Sequence, residues 1–222
     1  MTIQNQGHEH EFEPQYGLPE RLPSDERILW QGAPDAKALV VSAFHMRKLA
    51  IYFSLLTLVC AWPALESGEG PWAVLAAIKW IVPLAVVAMG SVWLLALMTA
   101  KTTVYTLTNK RVVMRLGIVL TVTFNLPLKR VSAADVRDLP DDFGDISLTL
   151  TGDDHIAWVH LWPSVRPWRI SKTEPTLRAV PEARAVAAQL RDAWTQATGL
   201  SAVAVAPVEA GHDAPAFQVS PT

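Results

Sequence analysis

Two apolar runs separated by a short polar link constrain this chain more than any other feature. Residues 49–65 and 71–100 hold one charged side chain between them, Lys79, with Glu66 at the edge of the first run. The first run is about 17 residues, near the lower limit for crossing a hydrocarbon core of about 30 Å, and the second is longer. Half of the 222 residues are hydrophobic, and they are concentrated here. The sequence therefore predicts a two-span transmembrane helical hairpin, with spans at 49–65 and 72–100. Lys79 lies about two turns inside the second span, where a long side chain snorkels to the headgroups and leaves residues 80–98 as the fully apolar part. Trp62, Trp72, Trp80 and Trp93 suit interface or packing anchors, and Pro83 is expected to kink the second helix.

The flanking charges set an orientation. The link Glu66-Ser67-Gly68-Glu69-Gly70-Pro71 has acids and no Lys or Arg, whereas Arg47, Lys48 and Lys101 flank the outer ends. The positive-inside rule then places residues 66–71 in the periplasm of a Gram-negative host. Both termini would be cytoplasmic, and the protein a multi-pass resident of a bacterial inner (intracytoplasmic) membrane. The N-terminus lacks a signal-peptide pattern. Residues 1–20 read as a disordered tail. Residues 21–48 read as a cytoplasmic or interfacial segment, with Ser24 or Asp25 capping a turn and residues 36–46 lying as an interfacial helix.

After Lys101 the period changes from helix to strand. Residues 103–108 are β-branched and alternating; residues 111–116 and 118–125 flank Gly117 as a hairpin. Residues 145–151 alternate Ile146, Leu148 and Leu150 against Ser147, Thr149 and Thr151, and Gly152 turns them into a further strand at 155–161. A helix over 181–198 closes the domain. Pro181 is expected in its first turn, Ala183, Val186, Ala187, Leu190 and Trp194 on its apolar face, and Gly199 at its end. Residues 200–222 read as a flexible tail. The fold class is thus an α+β membrane protein, with the hairpin followed at 101–199 by an antiparallel β domain and its amphipathic helix.

Catalytic signatures such as GxGxxG, GxxxxGK[ST], HExxH and GxSxG are absent, which points away from an enzyme. The single Cys60 has no internal disulfide partner, and no Cys/His spacing suggests a metal. His155 and His160 would face opposite sides of one strand. The paired acids Asp141, Asp142, Asp153 and Asp154 suit turn chemistry. His45, a few residues before the first span, is the one weak candidate for a pigment ligand; neither span contains a histidine. The net charge of −2 gives no reason to expect nucleic acid.

Charge is unevenly distributed. Lys101, Lys110, Arg111, Arg115, Lys129 and Arg130 fall in a stretch without acids, whereas residues 135–154 carry seven acids and one Arg. The basic group is a candidate membrane-surface site, because each cation near anionic headgroups gains roughly 1 kcal/mol. The segment Trp158-Val159-His160-Leu161-Trp162-Pro163-Ser164-Val165-Arg166-Pro167-Trp168-Arg169 is a candidate partner surface through Trp162, Arg166, Trp168 and Arg169. Trp and Arg dominate interface hot spots, and the prolines limit the entropy lost on docking. Trp158 is expected in the core.

The run Val104-Tyr105-Thr106-Leu107-Thr108-Asn109-Lys110-Arg111-Val112-Val113-Met114-Arg115-Leu116-Gly117 resembles the opening hairpin of a bacterial pleckstrin-homology-like domain, and Gly144-Asp145-Ile146-Ser147-Leu148 resembles a later strand of it. Three further segments, residues 22–32, residues 43–53 and residues 158–168, together resemble the PuhB family of photosynthetic-complex assembly proteins of purple bacteria. The resemblance covers roughly residues 18–197. It implies a PH-like domain and a non-enzymatic role in assembling the reaction centre and its light-harvesting ring. Reaction-centre or light-harvesting subunits and membrane lipids are the implied partners, and a homo-oligomer is compatible with it. It brings no catalytic residues and no obligatory cofactor. Two other readings fit the same residues: a bacteriochlorophyll or lipid carrier, in which His45 would matter, and a generic membrane-tethered PH-like interaction module.

Overall fold

The computed structural model describes residues 17–117, 121–152, 156–167 and 173–200, and the backbone of residues 203–204 and 217–218. The chain enters the β domain before it leaves for the hairpin. Strand β1 (Ile28–Gly32) is followed by helix α1 (Ala36–Ser42), then by α2 (Met46–Glu66), α3 (Pro71–Ile78) and α4 (Ile81–Thr102). The chain returns as β2 (Val104–Thr108), which lies antiparallel to β1 with Gly32 opposite Tyr105. Residues 21–48 are therefore not merely a cytoplasmic or interfacial lead-in. They contribute an edge strand, and the hairpin is an insertion between two paired strands. Packing also starts earlier than residue 21, because Leu18 is buried; residues 1–16 lie outside the described residues.

Within the hairpin, α2 runs longer than the expected 49–65. The region 72–100 is two helices rather than one kinked helix. Pro83 has no N–H to donate to the carbonyl of Lys79, and its ring clashes with that carbonyl. The chain accordingly breaks at Lys79 and Trp80, and Pro83 falls in the first turn of α4. Lys79 Nζ stands 5.9 Å from the centre of the Trp80 ring.

The first sheet continues through β3 (Arg111–Leu116) and β4 (Val122–Pro127), in the order β1-β2-β3-β4. The β3–β4 pair bears out the hairpin around Gly117, with Leu116 opposite Val122. A 3-10 turn at Leu128–Arg130 leads into β5 (Val131–Asp138) and β6 (Phe143–Leu150). The strand expected at 155–161 is absent over its described residues; they contain a single helical turn, α5 (Trp158–Leu161). The partner of β6 is instead β7 (Thr176–Pro181), and two-residue strands β8 (Val203–Ala204) and β9 (Phe217–Gln218) extend the second sheet in the order β7-β6-β5-β9-β8. Part of the region read as a flexible tail is thus paired to β5.

Helix α6 (Ala183–Thr198) closes the domain. Pro181 ends β7 and does not enter the helix; Glu182 is the N-cap residue, with φ +50°. Gly199 ends the helix at φ +70°, the left-handed backbone that glycine tolerates best. Gly144 is required for a different reason, since a Cβ there would come within 2.6 Å of the Ala183 Cβ. The apolar face expected of α6 is the one observed: Ala183, Val186, Leu190 and Trp194 are buried against Tyr105, Leu107 and Met114 of the first sheet and Val131, Val136, Ile146 and Leu148 of the second. Trp194 is 1% exposed, and its indole N–H donates to the Val131 carbonyl at 2.8 Å.

Trp194→Ala removes that bond and the largest side chain of the core, and is expected to cost roughly 3–5 kcal/mol. Denaturant unfolding of the full chain in detergent, followed by near-UV circular dichroism, measures it.

Candidate partner-docking surface

The aromatic segment emerges beside the foot of the hairpin. Trp162 packs edge-on against Phe44, with ring centroids 5.5 Å apart at 86°, and Phe44 lies two residues before α2. Trp162 keeps 43% of its surface exposed. Trp158, expected in the core, is half-buried and packs against it, and its indole N–H is buried with no hydrogen-bond partner among the described residues. Trp168 and Arg169 lie outside the described residues.

Arg166 does not present its guanidinium to a partner. One nitrogen bonds both Asp135 at 2.5 Å and Glu174 at 3.0 Å, and the Glu174 side chain is 2% exposed. Burial works against the charged guanidinium, yet the two carboxylates outweigh it and hold the Arg166 pKa above its ordinary value. This cation offsets part of the cost of burying Glu174, which also accepts from Thr149 Oγ1 at 3.5 Å. The spacing of Trp, Pro and Arg in residues 158–169 gives no sign of it, because both acids lie outside that segment, Asp135 31 residues before Arg166 and Glu174 eight after it.

The basic group likewise divides in space. The β2–β3 register sets Arg115 opposite Val104, next to the end of α4, while Lys110 and Arg111 stand at the far tip of the strand pair, about 17 Å along at 3.4 Å per residue. Those two are already engaged. Arg111 forks onto Glu26 through Nε at 2.8 Å and Nη2 at 3.1 Å, and Glu26 is 3% exposed. Lys110 pairs with Asp25 and holds that carboxyl below its ordinary pKa. Of the six candidate membrane-surface cations, Lys110 and Arg111 thus stand apart from Arg115 and are bonded to Asp25 and Glu26. Lys101, Lys129 and Arg130 are exposed, and Arg115 is half-buried.

His45 caps α2 with a left-handed backbone, φ +53°. Burial, then the cations Lys48, Arg178 and Arg137, push its pKa below the usual histidine value. Among the described residues no cluster of three His, Cys, Asp or Glu side chains could hold a metal.

A buried polar network that the sequence did not reveal lies beside His45. Arg178 Nη1 donates to Asp145 at 2.8 Å and Nη2 to the Val165 carbonyl at 2.8 Å; the two charged side chains are 6% and 3% exposed. The second Asp145 oxygen accepts from the Ala179 N–H at 2.9 Å. The Arg178 N–H donates to the Tyr105 hydroxyl at 3.2 Å, which stands 2.8 Å from Ser164 Oγ. Burial pushes the Tyr105 pKa up to about 12. The network joins β2, β6, β7 and the end of the aromatic segment at the point where α1 and α4 meet the domain. Alternation had marked Asp145 only as the start of a strand, and its partner Arg178 lay in a strand that was not anticipated.

A model of the bacterial PH domain matches residues 38–194. The chain belongs to the bacterial PH domain family. It is also 35% identical over 191 residues to an uncharacterized 23.7 kDa protein in the puhA 5′ region of Rhodobacter capsulatus, an alignment covering 84% of this chain and 87% of that protein. This agrees with the PuhB-like character of residues 22–32, 43–53 and 158–168. No solved structure is significantly similar to the chain. The family supplies the PH-like domain of a mixed helical and antiparallel fold, and among the described residues two helices are long and apolar enough to cross a membrane.

Three expectations follow. Arg166→Ala removes a charged hydrogen bond from each of Asp135 and the buried Glu174, so it should lower stability by roughly 1–3 kcal/mol in thermal or denaturant unfolding rather than act as a silent docking variant. Asp145→Ala should cost more, roughly 3–5 kcal/mol, and Arg178→Met on that background should recover part of it. Because the folded-state pKa of Tyr105 lies above its unfolded value, its contribution is fully present below about pH 10 and is lost as pH rises towards 12, a fall of roughly 2–3 kcal/mol. Unfolding of Tyr105→Phe across the same pH range should lack that fall.

Proposed function

We propose that this chain is a non-enzymatic, membrane-anchored assembly factor for a photosynthetic reaction centre–light-harvesting complex. The relative in the puhA 5′ region carries the reading, 35% identical across 84% of this chain, together with the PuhB-like segments. The helices α2 and α4 support the anchor. Only 11% and 6% of their most apolar windows are buried, and Leu55, Leu58, Val59, Leu84, Val86, Val87 and Leu94 are all at least half exposed. Water does not tolerate a patch of that size on a monomer. At 1.5 Å per residue, 21 and 22 residues reach about 30 Å, the thickness of a hydrocarbon core. Glu66 and Glu69 at one end and Arg47, Lys48 and Lys101 at the other favour a cytoplasmic β domain in the inner membrane. Trp80 and Lys79 then sit at the opposite interface.

In this reading the bare faces of the hairpin hold the protein beside nascent membrane subunits, and the β domain meets them on the cytoplasmic side. A scaffold rather than a catalyst suits the interior chemistry, since Arg178, Asp145, Tyr105 and Ser164 bond one another. A mild-detergent pull-down of the tagged chain from its own membranes, with an absorption spectrum of the eluate, tests the proposal. Reaction-centre or light-harvesting subunits should co-elute at partial occupancy. A chromophore retained without those subunits, and lost in His45→Ala, would replace the scaffold with a pigment carrier. An eluate with neither would leave a PH-like module of other function.

A further inference from the structure

The one-turn helix α5 carries an apolar face that the domain does not use. Val159 is 75% exposed and Trp162 43%. Three residues apart, they lie on one side of the turn, and Leu161 points the other way into the core, fully buried. The face adjoins the hairpin rather than the far side of the domain, because Trp162 stacks edge-on with Phe44 and Phe44 immediately precedes His45 and α2. If α2 crosses the bilayer, Arg47 and Lys48 are at headgroup level, and the indole lies within about two helical turns, roughly 10 Å, of them. Two exposed cations, Lys48 and Arg137, act on the neighbouring His45.

We propose that the Val159–Trp162 face is a shallow membrane wedge, seated at the headgroup–acyl boundary of an anionic leaflet, which fixes the tilt of the β domain on the bilayer. It rests on the reading of α2 and α4 as spans. Size favours lipid over a protein partner. One exposed Trp and one Val offer on the order of 300 Å², well below the roughly 800 Å² per partner of a stable protein interface. Composition agrees, since indole rings concentrate at the headgroup level and nearby cations complement an anionic leaflet. Continuity agrees as well, because the face runs through Phe44 into a helix whose own apolar surface is bare.

The full chain with Cys60→Ser, its one cysteine, gives the background for single labels in nanodiscs of phosphatidylglycerol and phosphatidylcholine. An environment-sensitive fluorophore is placed at Val159→Cys, at Val86→Cys on α4 (66% exposed) and at Gln189→Cys on the exposed side of α6. The wedge predicts that the residue 159 label is quenched several-fold more by shallow nitroxide lipids than the residue 189 label, and is correspondingly shielded from iodide. The residue 86 label should respond to deep nitroxides. A residue 159 label as open to iodide as that at 189, with 86 still lipid-quenched, overturns the wedge and leaves the spans standing. Shielding from iodide without lipid quenching also overturns it, in favour of a second copy of the chain. A residue 86 label open to iodide removes the spanning reading, and the wedge with it.

Discussion

The pairing of β1 with β2 is the constraint on which the rest of the molecule depends. The chain leaves the sheet at Gly32 and returns to stand opposite it at Tyr105, so everything between has both ends held one strand spacing apart, about 4.8 Å. An insertion closed this way must turn back on itself, and an antiparallel helix pair does so with every interior backbone group bonded within its own helix. The closure is then packed. Asp35 caps α1 by accepting from the Ala38 N–H at 2.9 Å, and its own N–H donates to the Ala179 carbonyl at 3.0 Å. Leu39 and Val40 of α1, Ala96 of α4 and Ala179 of β7 form a second small core. Because α4 ends at Thr102 and β2 starts at Val104, there is no room for a flexible linker. The hairpin and the β domain meet as joined elements, and a force on one is transmitted to the other.

The Arg178–Asp145 pair is costly to bury, and the location explains why the cost is met. Desolvating two charges is repaid only when geometry is good and further hydrogen bonds satisfy the remaining groups. Here Asp145 also fixes the N–H of Ala179, whose backbone sits at φ +49°, a conformation an alanine does not adopt without support. That twist lets the Ala179 carbonyl meet Asp35 and its methyl group meet α1 and α4. The ion pair therefore acts on shape more than on net stability, setting the angle at which β7 presents itself to the hairpin. The Arg178 Nε is buried with no partner among the described residues, which is the residual penalty of the arrangement.

What the sequence made legible was whatever is local. The helical character of the apolar runs, the hairpin around Gly117, the alternation of Ile146 and Leu148 and the face of α6 each depend on neighbours within a few residues, and each is present, although the first run extends further and the second divides in two. β1 escaped because its short run, Ile28-Leu29-Trp30-Gln31-Gly32, declares no strand period and its partner lies beyond the hairpin. β7 escaped because burying Thr176 and Arg178 destroys the apolar alternation that marks a strand; their partners, Ser147 and Asp145, are in another element. The turn of α5 was read as strand from its bulky residues alone. At Lys79 the reading was right in kind and too mild in degree: the carbonyl that Pro83 leaves unbonded is the point where the helix ends.

The same contrast governs the charges. Lys110 and Arg111 sit in an acid-free stretch of sequence, but the strand they begin lies beside the segment carrying Asp25 and Glu26, and Glu26 is all but buried under Arg111. A cation satisfied by a fork of two hydrogen bonds to a desolvated carboxylate has little field left to offer a surface 10 Å away at physiological salt. The hairpin itself places Arg47 and Lys48 on the first turn of α2 and Lys101 on the last of α4, and the β2–β3 register brings Arg115 back to that level. Positive charge gathers at the foot of the hairpin not because the basic residues cluster in sequence but because the strand pairing folds one part of the cluster towards the helices and hands the other part to internal acids.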